Sequence, residues 1–554
     1  MGVQISDDAF TERDYARFRE RLEQCLSELG RLVDRPGFGA GPVTIGAELE
    51  CFLVDGAALP LPRNTEVRAA LAAPRITLEL NRFNLELNAS PVPLAGPDSR
   101  PFTALGGELD LLLGRAGEAA RAHAGRIAMI GILPTLSEAH LHPGIMTDAP
   151  RYRALNRGLR RLRGGPFRIR IAGDDPLDLV TRHVASEGAN ASFQVHLRVA
   201  PEDFTRTYNA AQLAVAPVLA VAGNSPTFLG HRLWEETRIA LFKQCVEDRC
   251  AGPRRGPSRT ALGTGWLRGG ALELFTESVR LHEPLLPALA ASGPGRAAGR
   301  QPPPLDELRL HLGTVWPWNR AVYDPAAGGH LRIEMRSLPA GPTVTDMMAN
   351  AAFMIGLTQW VAGQDQRWTY ALPFERADHS FYRAAQYGLA AELSWPLRPL
   401  LTRGARRGRG RDGQVRTLPA ADLVAELIPG ARLGLRQAGV AGAEADRLLG
   451  VIAARLATGQ TGAAWQRAAL AAAAPGRTRD RALAVMLDQY LACAATGQPV
   501  HTWPALKTIS TERCVVAHPR SPASPAGLVA SGGDRHRPGA RAELRQRDGQ
   551  VRGA

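Results

Sequence analysis

The sequence predicts an α+β fold that is followed by a helical C-terminal part. Between about residues 43 and 390, runs of alternating apolar and polar residues are interspersed with longer runs that have apolar residues at helical spacing. From about residue 417 the chain is rich in alanine and leucine and carries no strand signal. With 554 residues, the chain is long enough for a large core and for more than one domain.

The first predicted element is an amphipathic helix over residues 9–34, which "RPGFGAGP" ends before a strand at 43–54. Further strands are predicted in "RITLELNRFNLELNASP", "RIAMIGILP", "ASFQVHLRV" and "HLRIEMRSLP". Helices are predicted at 103–126, in "AAQLAVAPVLAVAGNSP" and in "VTDMMANAAFMIGLTQWVAG". The predicted organisation is an N-terminal helical segment (1–42), an α+β domain (43–390), a basic Gly- and Arg-rich loop (391–416), a helical C-terminal part (417–515) and a disordered basic tail (516–554).

Composition argues against several classes of protein. The formal net charge is +14, but the only lysines are Lys243 and Lys507, and much of the excess arginine lies in residues 403–416 and in the tail. An arginine-, alanine- and glycine-rich composition fits the codon usage of a GC-rich genome as well as it fits a nucleic-acid partner. The six scattered cysteines have neither a disulfide pattern nor zinc-ligand spacing. Without a membrane-length apolar run or a secretory signal, we expect a cytoplasmic protein that has no membrane partner.

The strand in "TIGAELECFLVDG", residues 44–56, has two different faces. Its apolar face consists of Ile45, Ala47, Leu49, Cys51 and Leu53. Glu48 and Glu50 lie side by side on the other face, where two carboxylates at positions i and i+2 repel each other. No basic residue stands between them to offset this repulsion.

Three further strands repeat this arrangement. Their polar faces consist of Glu86 with Asn88, of Gln194 with His196 and Arg198, and of Arg332 with Glu334 and Arg336. A solvated face is the simpler interpretation of each strand alone, because it is the commonest arrangement in antiparallel sheets. However, these positions carry no lysine and almost no hydroxyl residue, and acids on neighbouring strands need a cation between them. The four strands together therefore favour a site for Mg²⁺ (or Mn²⁺) and phosphate.

No alternative phosphate-binding motif is present. The sequence has no GxxxxGK[ST] loop, and "GTGWLRGG" at 263–270 lacks both the GxGxxG spacing and a preceding apolar strand. A bound nucleotide is therefore expected to be held through the cation on the sheet, rather than at a helix N-terminus.

These motifs together resemble the glutamate–cysteine ligase family, in its broad carboxylate–amine ligase branch. The resemblance rests on "GAELE", "ELNRFNLELNASP", "FQVHLRV", "GNSPTFLGHRLWEETRIALFKQ" and "HLRIEMRSLPAGPT", in this order from about Val43 to Gly356, with "GQPVHTWP" as a further match. It implies a glutamine synthetase-like fold, in which a curved, mostly antiparallel sheet forms a funnel flanked by helices. It also implies ATP-dependent amide formation, in which an amino acid's carboxylate attacks the γ-phosphate and an amine then displaces phosphate from the acyl phosphate.

The resemblance also implies a role for each of twelve residues. The implied metal ligands are Glu48, Glu50, Glu86 and Glu334, with His196 as a ligand or phosphate contact, and Glu79 if a turn near Asn81–Arg82 brings it to the same surface. The implied catalytic residues are Glu334 and the phosphate clamp Arg336, and the implied nucleotide contacts are Arg336 and Gln194. The implied substrate-binding residues are Arg238 for the α-carboxylate, Asn224 in the "GNSP" turn, and Trp316 and Arg320 as a wall of the funnel.

Two other functions compete with a ligase that acts on ATP, glutamate or a similar amino acid, and an amine such as cysteine. The first is a non-catalytic or degenerate nucleotide-binding relative, although every charged position that the chemistry needs is present. The second is a nucleic-acid-binding protein, but the arginine-rich segments lack interleaved aromatic residues and no recognised binding module is visible. The sequence predicts neither the oligomeric state nor the amine substrate.

Overall fold

An antiparallel sheet lies at the centre of the structure. The structure is a computed structural model, and it describes residues 5–96, 98–249, 256–290, 301–396 and 415–505. The strands in these ranges are β1 (Thr44–Val54), β2 (Ile76–Leu78), β3 (Asn84–Asn88), β4 (Val92–Pro93), β5 (Arg126–Ala128), β6 (Phe167–Ile171), β7 (Leu177–Thr181), β8 (Phe193–Val199), β9 (Thr227–Phe228), β10 (His231–Arg232), β11 (Asn319–Asp324), β12 (His330–Met335), β13 (Glu392–Pro396) and β14 (Val415–Pro419). The central sheet has the order β11-β12-β8-β1-β3-β2, and β4 and β5 also pair with β1. It curls into a half-barrel, so the predicted α+β class with a curved antiparallel sheet is confirmed.

Helices surround this sheet and form the whole C-terminal part that the structure describes. Their bounds are α1 (Glu12–Val33), α2 (Asn64–Ala69), α3 (Pro101–Arg121), α4 (Pro150–Arg163), α5 (Phe204–Ala222), α6 (Thr237–Cys245), α7 (Ala271–Leu281), α8 (Asp306–Leu312), α9 (Val344–Ala362), α10 (Trp368–Ala371), α11 (Phe374–Tyr387), α12 (Ala420–Gln437), α13 (Gly442–Thr458), α14 (Gly462–Ala473) and α15 (Arg479–Ala494). Within the described ranges, none of these helices combines the length and apolar character of a bilayer-spanning segment.

Alternation along β1 determines which face of the sheet is covered. Ile45, Leu49, Cys51 and Leu53 are fully buried, and the helices α3 and α9 lie against this side of the sheet. α5 and α12 pack on α9 in turn. Burial of such apolar side chains stabilises the fold by roughly 1.5–3 kcal/mol each. The opposite face of the strands carries the polar side chains of the candidate site.

The C-terminal helices are attached to the α+β body by close packing and by a buried ion pair. A Cβ atom added at Gly434 of α12 would lie only 2.0 Å from the carbonyl oxygen of Gly356 on α9, so only glycine permits this approach. Arg455 of α13 donates from Nη2 to Asp346 Oδ1 over 2.8 Å, and both side chains are fully buried. Removing one partner of such a pair leaves an uncompensated buried charge, which typically destabilises a fold by about 3–5 kcal/mol.

Three segments differ from their predictions. "RIAMIGILP" is a strand only over Arg126–Ala128, after which the chain leaves the sheet and Gly131 N donates to Asn224 O. The predicted loop at 391–416 has paired strands at its two ends, β13 and β14, while residues 397–414 lie outside the described ranges. The hairpin of β6 and β7 was not predicted. The tail at 516–554 also lies outside the described residues, and the domain boundaries stay predictions.

Candidate active site

The register of the central strands brings the predicted polar residues together on one face. Glu50 of β1 lies directly opposite Glu86 of β3, and Glu48 lies opposite Gln194 of β8. The cross-strand pairs His196–Glu334 and Glu334–Arg320 extend this face to β12 and β11. Directly opposed side chains in an antiparallel pair lie about 4.5–5.5 Å apart at Cβ, close enough to interact.

Two adjoining cavities open on this face. The larger one, of about 250 Å³, is lined by nine of the predicted residues, namely Glu48, Glu50, Glu79, Glu86, Gln194, Trp316, Arg320, Glu334 and Arg336. The smaller one, of about 30 Å³, adds Arg238 together with the aromatic rings of Phe242 and Trp318. Glu50, Glu79 and Arg336 line both cavities, so the two spaces form one candidate site.

Arginines already neutralise the carboxylate of Glu334. Arg320 holds it with two nitrogens, Nε at Oε2 and Nη2 at Oε1, the latter over 3.0 Å. Arg336 Nη1 lies 3.4 Å from the same Oε1. Burial alone would raise the pKa of Glu334, but Arg320, Arg336 and His196 lower it to about 2. Arg320, predicted as a wall of the funnel, therefore lines the cavity while paired with Glu334.

His196 lies between two carboxylates. Its Nε2 is 3.4 Å from Glu48 Oε1 and 3.9 Å from Glu334 Oε1, and one ligand atom from each of these three residues fits within 4.8 Å. However, Arg332 Nε donates to His196 Nδ1 over 3.2 Å, so Nδ1 carries no proton. Nε2 is the ring nitrogen that faces the carboxylates of Glu48 and Glu334, and it has no hydrogen-bond partner among the described residues. The role of His196 as a metal ligand or phosphate contact stays a prediction, and its ring lies where one ligand atom each from His196, Glu48 and Glu334 come together.

A second group of acids has no arginine at ion-pair distance among the residues that the structure describes. We call Glu50, Glu79, Glu86 and Glu187 the acidic cluster; all four line the larger cavity. Within the described residues, no arginine lies within the 4.0 Å salt-bridge distance of these carboxylates. Glu50 accepts from Ser192 N over 2.7 Å and from Gln194 Nε2 over 3.0 Å. Arg336 and Arg238 lie farther away and offset the negative charge on Glu50 only in part.

Electrostatics in the acidic cluster favour a bound cation. Burial, and next the facing Glu86, raise the pKa of Glu50. Burial together with Glu86, Glu50 and Glu187 raises the pKa of Glu79 well above its ordinary value. Carboxylate oxygens are the ligands that Mg²⁺ prefers, and such a cation removes this mutual repulsion. Repulsion within the acidic cluster therefore favours a cation in this cavity, while the ligand atoms that lie within 4.8 Å of one another are those of Glu48, His196 and Glu334.

Comparison with known proteins agrees with this geometry. Residues 44–268 match the model of the glutamate-cysteine ligase family 2. This segment contains Glu48, Glu50, Glu79 and Glu86 of the candidate site. Residues 44–268 are thus similar to glutamate-cysteine ligase family 2. The match supports the reaction class, an ATP-dependent carboxylate–amine ligase.

Solved structures with a similar chain course are ligases at low sequence identity. Glutamate–cysteine ligase from Francisella tularensis, in complex with AMP, is 10% identical with a TM-score of 0.47, over 82% of this chain and 90% of that chain. A bifunctional glutathione synthetase from Pasteurella multocida is 12% identical with a TM-score of 0.41, over 86% and 55%. The ligase PafA in complex with the ubiquitin-like protein Pup is 12% identical with a TM-score of 0.35, over 78% and 68%. No curated protein matches the sequence.

The remaining predicted site residues differ in where they lie. Glu79 follows β2 directly, and the turn after it brings its carboxylate to the cavity beside Glu86, as the prediction required. Trp316 is buried, lines the larger cavity and packs edge-on against Phe242. Gln194 accepts from Arg336 Nη1 over 2.5 Å while donating to Glu50, so its amide joins the two groups of carboxylates.

Asn224 is not among the residues that line either cavity. It is fully buried, and its Nδ2 donates to Ala340 O and to Tyr490 Oη, each over 2.8 Å. Its Oδ1 accepts from Gln466 Nε2 over 2.8 Å. The substrate-binding role of Asn224 stays a prediction, and in this structure protein groups occupy its amide on both sides.

Sequence reasoning missed two side chains that the ligase fold brings to the site. Glu187 lies in the short 3₁₀ turn Glu187–Ala189, where no periodicity marks a functional position. Arg332 was placed on the polar face of its strand but received no role, and its contact with His196 sets the position of the ring proton. The residue type of Arg332 and its place on the polar face of a strand could have indicated a functional position. The sequence around Glu187 gave no such indication.

The raised pKa of the Glu187 carboxyl group makes the stability of the fold depend on pH. Burial, and next the charge of Glu50, raise the pKa of Glu187 from its ordinary 4.5 to about 8. A carboxyl group with a raised pKa contributes stability that is fully present below pH 4.5 and is lost as the pH rises through about 8. Half-buried His282 and buried His311 have lowered pKa values of about 3 and 4 and act in the opposite sense, but their effect is complete above about pH 6.5.

We therefore expect the melting temperature of cation-free protein to fall between about pH 7 and about pH 8.5. The slope should be smaller in Glu187→Gln, which cannot ionise, and smaller in wild type with added Mg²⁺, because a cation takes the place of the proton. Thermal melts in EDTA and in Mg²⁺ at several pH values measure this. An equal slope in Glu187→Gln would show that other groups cause it.

Proposed function

We propose that this protein is an ATP- and Mg²⁺-dependent ligase that joins glutamate to cysteine and forms γ-glutamylcysteine. The observation that carries the proposal is the juxtaposition, in one cavity, of the acidic cluster and the arginine-paired carboxylate of Glu334. A ligase of this class must bring together an anionic carboxylate nucleophile and an anionic triphosphate. Such a site needs both a place for cations and fixed positive charges near the transferring phosphoryl group.

The acidic cluster would hold the cation in this proposal. Glu50, Glu79 and Glu86 supply oxygen ligands on neighbouring strands, and Glu48 lies on the same face. When bound, Mg²⁺ neutralises the repulsion between the carboxylate and the triphosphate and the charge that develops on transfer. We propose Mn²⁺ as a substitute, because it takes the same oxygen ligands.

Arg336 is the proposed phosphoryl clamp. Its side chain is 14% exposed, lines both cavities and is oriented by Gln194 and Glu334. Its neighbour Glu334 raises its pKa although burial lowers it, so its charge is secure at any working pH. A planar guanidinium binds two phosphoryl oxygens at once, which is the geometry that the transferring group requires.

Arg238 is the proposed contact for the α-carboxylate of the amino acid. It lines the smaller cavity, and its Nε and Nη2 donate to Glu236 and to Ser337 O. Within the described residues, Nη1 has no hydrogen-bond partner. Phe242 and Trp318 complete this cavity as an apolar wall. We keep the cytoplasm as the proposed location, because ATP is supplied there.

Phosphate release in an amino-acid screen tests the proposal. Purified protein with ATP and Mg²⁺ is offered amino acids singly and in pairs, and inorganic phosphate is measured. We expect release with glutamate and cysteine together, and loss of this release in EDTA. Release with glutamate and a different amine would identify another ligase of this class. ATP binding without phosphate release for any pair would contradict catalysis and favour the nucleotide-binding relative.

A further inference from the structure

We propose that Asn224 and Glu236 are positioning residues for Arg238, and that the C-terminal helices α14 and α15 hold them in place. The proposal rests on the proposed function, because it assigns Arg238 to the carboxylate of the amino-acid substrate. It gives the C-terminal helical part a task in substrate recognition that no sequence motif indicates.

The connection begins on α14 and α15. Gln466 of α14 donates from Nε2 to Asn224 O over 3.0 Å and to Asn224 Oδ1 over 2.8 Å. Tyr490 of α15 directs its own hydroxyl proton to Met129 O over 2.8 Å, which leaves a lone pair of its oxygen to accept from Asn224 Nδ2. All three side chains are at most 1% exposed, so no water shares these bonds. The amide of Asn224 has a single orientation as a result.

The connection continues from Asn224 to Arg238. Asn224 N donates to Glu236 Oε2 over 2.9 Å, and Arg238 Nε donates to Glu236 Oε1 over 3.0 Å. Glu236 is fully buried and Arg238 is 3% exposed. The two oxygens of one carboxylate are thus held by Asn224 on one side and by the guanidinium on the other. A shift of Asn224 therefore moves the carboxylate that orients Arg238.

Other contacts leave the loop between Gly223 and Arg238 little freedom. Ala463 N of α14 donates to Gly223 O over 2.8 Å, and Arg467 Nε donates to Glu235 Oε1 over 2.6 Å. A Cβ atom added at Gly462, the first residue of α14, would lie 2.2 Å from Asn224 Oδ1. Helix α14 therefore contacts the loop near its first residue, Gly223, near its end at Glu235, and at the Asn224 amide itself. Displacement of about 1 Å at a substrate-binding group is enough to impair a reaction strongly.

Two variants interrupt the connection at different points. Glu236→Gln keeps the shape of the side chain but removes the charge that orients Arg238, and Gln466→Leu removes both donors to Asn224 at similar volume. In each we expect KM for glutamate to rise about tenfold, which corresponds to the loss of one buried hydrogen bond. KM for ATP and kcat at saturating glutamate should stay within about twofold, a split that a general loss of stability does not produce.

Glu444→Gln is the matched control. Glu444 of α13 is also a buried carboxylate between the C-terminal helices and the body, but its partners are Thr103 N and Thr103 Oγ1. We expect this variant to lower the melting temperature without changing KM for glutamate. The double variant Glu236→Gln/Gln466→Leu should have the KM of Glu236→Gln alone, because the two changes break one connection.

Crystal structures of wild type, Glu236→Gln and Gln466→Leu test the proposal without relying on activity. We expect the Arg238 guanidinium to move by about 1 Å or more from Ser337 O in both variants. An unmoved Arg238, or a glutamate KM that rises equally in Glu444→Gln, would overturn the proposal. A wild-type protein that releases no phosphate with any amino acid would instead contradict the proposed function, and the crystal structures would still decide the positioning role.

Discussion

Replacing Arg336 by lysine is expected to lower kcat by about 10²–10³-fold while KM for ATP changes little. Lysine keeps the positive charge but loses the planar fork that binds two phosphoryl oxygens at once. Arg336 is also the donor to Gln194 Oε1 and the neighbour of Glu334 Oε1, and a lysine ammonium reaches both less well. Raising Mg²⁺ should not restore the rate, because the loss is not one of cation affinity.

Arg198→Lys is the control for this change. Arg198 is a buried arginine on the same face of the neighbouring strand β8, but its Nη2 donates to Ala40 O and it lines neither cavity. We expect this variant to keep its turnover at some loss of stability. The measurement is kcat at several Mg²⁺ concentrations with KM for ATP alongside. Turnover of Arg336→Lys within about twofold of wild type would refute the phosphoryl-clamp role.

Glu334→Gln distinguishes the structural task of Glu334 from cation binding. A simple metal ligand would be partly rescued by raised Mg²⁺. The structure adds a second effect, since Arg320 spans both oxygens of Glu334 and loses its charged partner in the variant. Leaving a buried guanidinium unpaired destabilises a protein. We therefore expect a lower melting temperature that Mg²⁺ does not restore, together with a lower kcat.

Replacing Glu50 by glutamine is expected to reduce turnover by at least about 10²-fold while the protein stays folded. The change keeps size and shape but removes one charge from the acidic cluster, so cation affinity falls. Glu50 faces Glu86 directly across the strands, and relief of this repulsion should make cation-free protein about 0.5 kcal/mol more stable. Mg²⁺ should raise the melting temperature of wild type more than that of the variant.

Glu444→Gln again supplies the comparison, since Glu444 accepts from a backbone N–H as Glu50 does, but Glu444 does not line the candidate site. Relief of repulsion does not apply there, so this variant should only lose stability. Urea unfolding in EDTA and turnover in Mg²⁺ are the two measurements. A cation-free Glu50→Gln protein that is clearly less stable than wild type would show that Glu50 is structural and paired with buried arginines.

The sequence by itself determined the faces of the strands and the character of the C-terminal part. Alternation has a period of two residues, so it placed Glu48, Glu50, Glu86 and Glu334 on polar faces from local spacing alone. The alanine- and leucine-rich composition after about residue 417 likewise predicted a helical part, where the structure has α12 to α15, because composition too is a local property of the chain.

Tertiary structure alone decided which charges meet. Strand register places Glu334 opposite Arg320 but Glu50 opposite Glu86. Two glutamates with the same place on the polar face of a strand therefore differ in the charge that they face. Contacts between distant segments likewise make Asn224 a hydrogen-bond partner of α14 and α15, which its place in the "GNSP" turn did not indicate. No local pattern encodes such contacts, because their partners lie hundreds of residues apart in the chain and are joined only when the helices pack against the sheet.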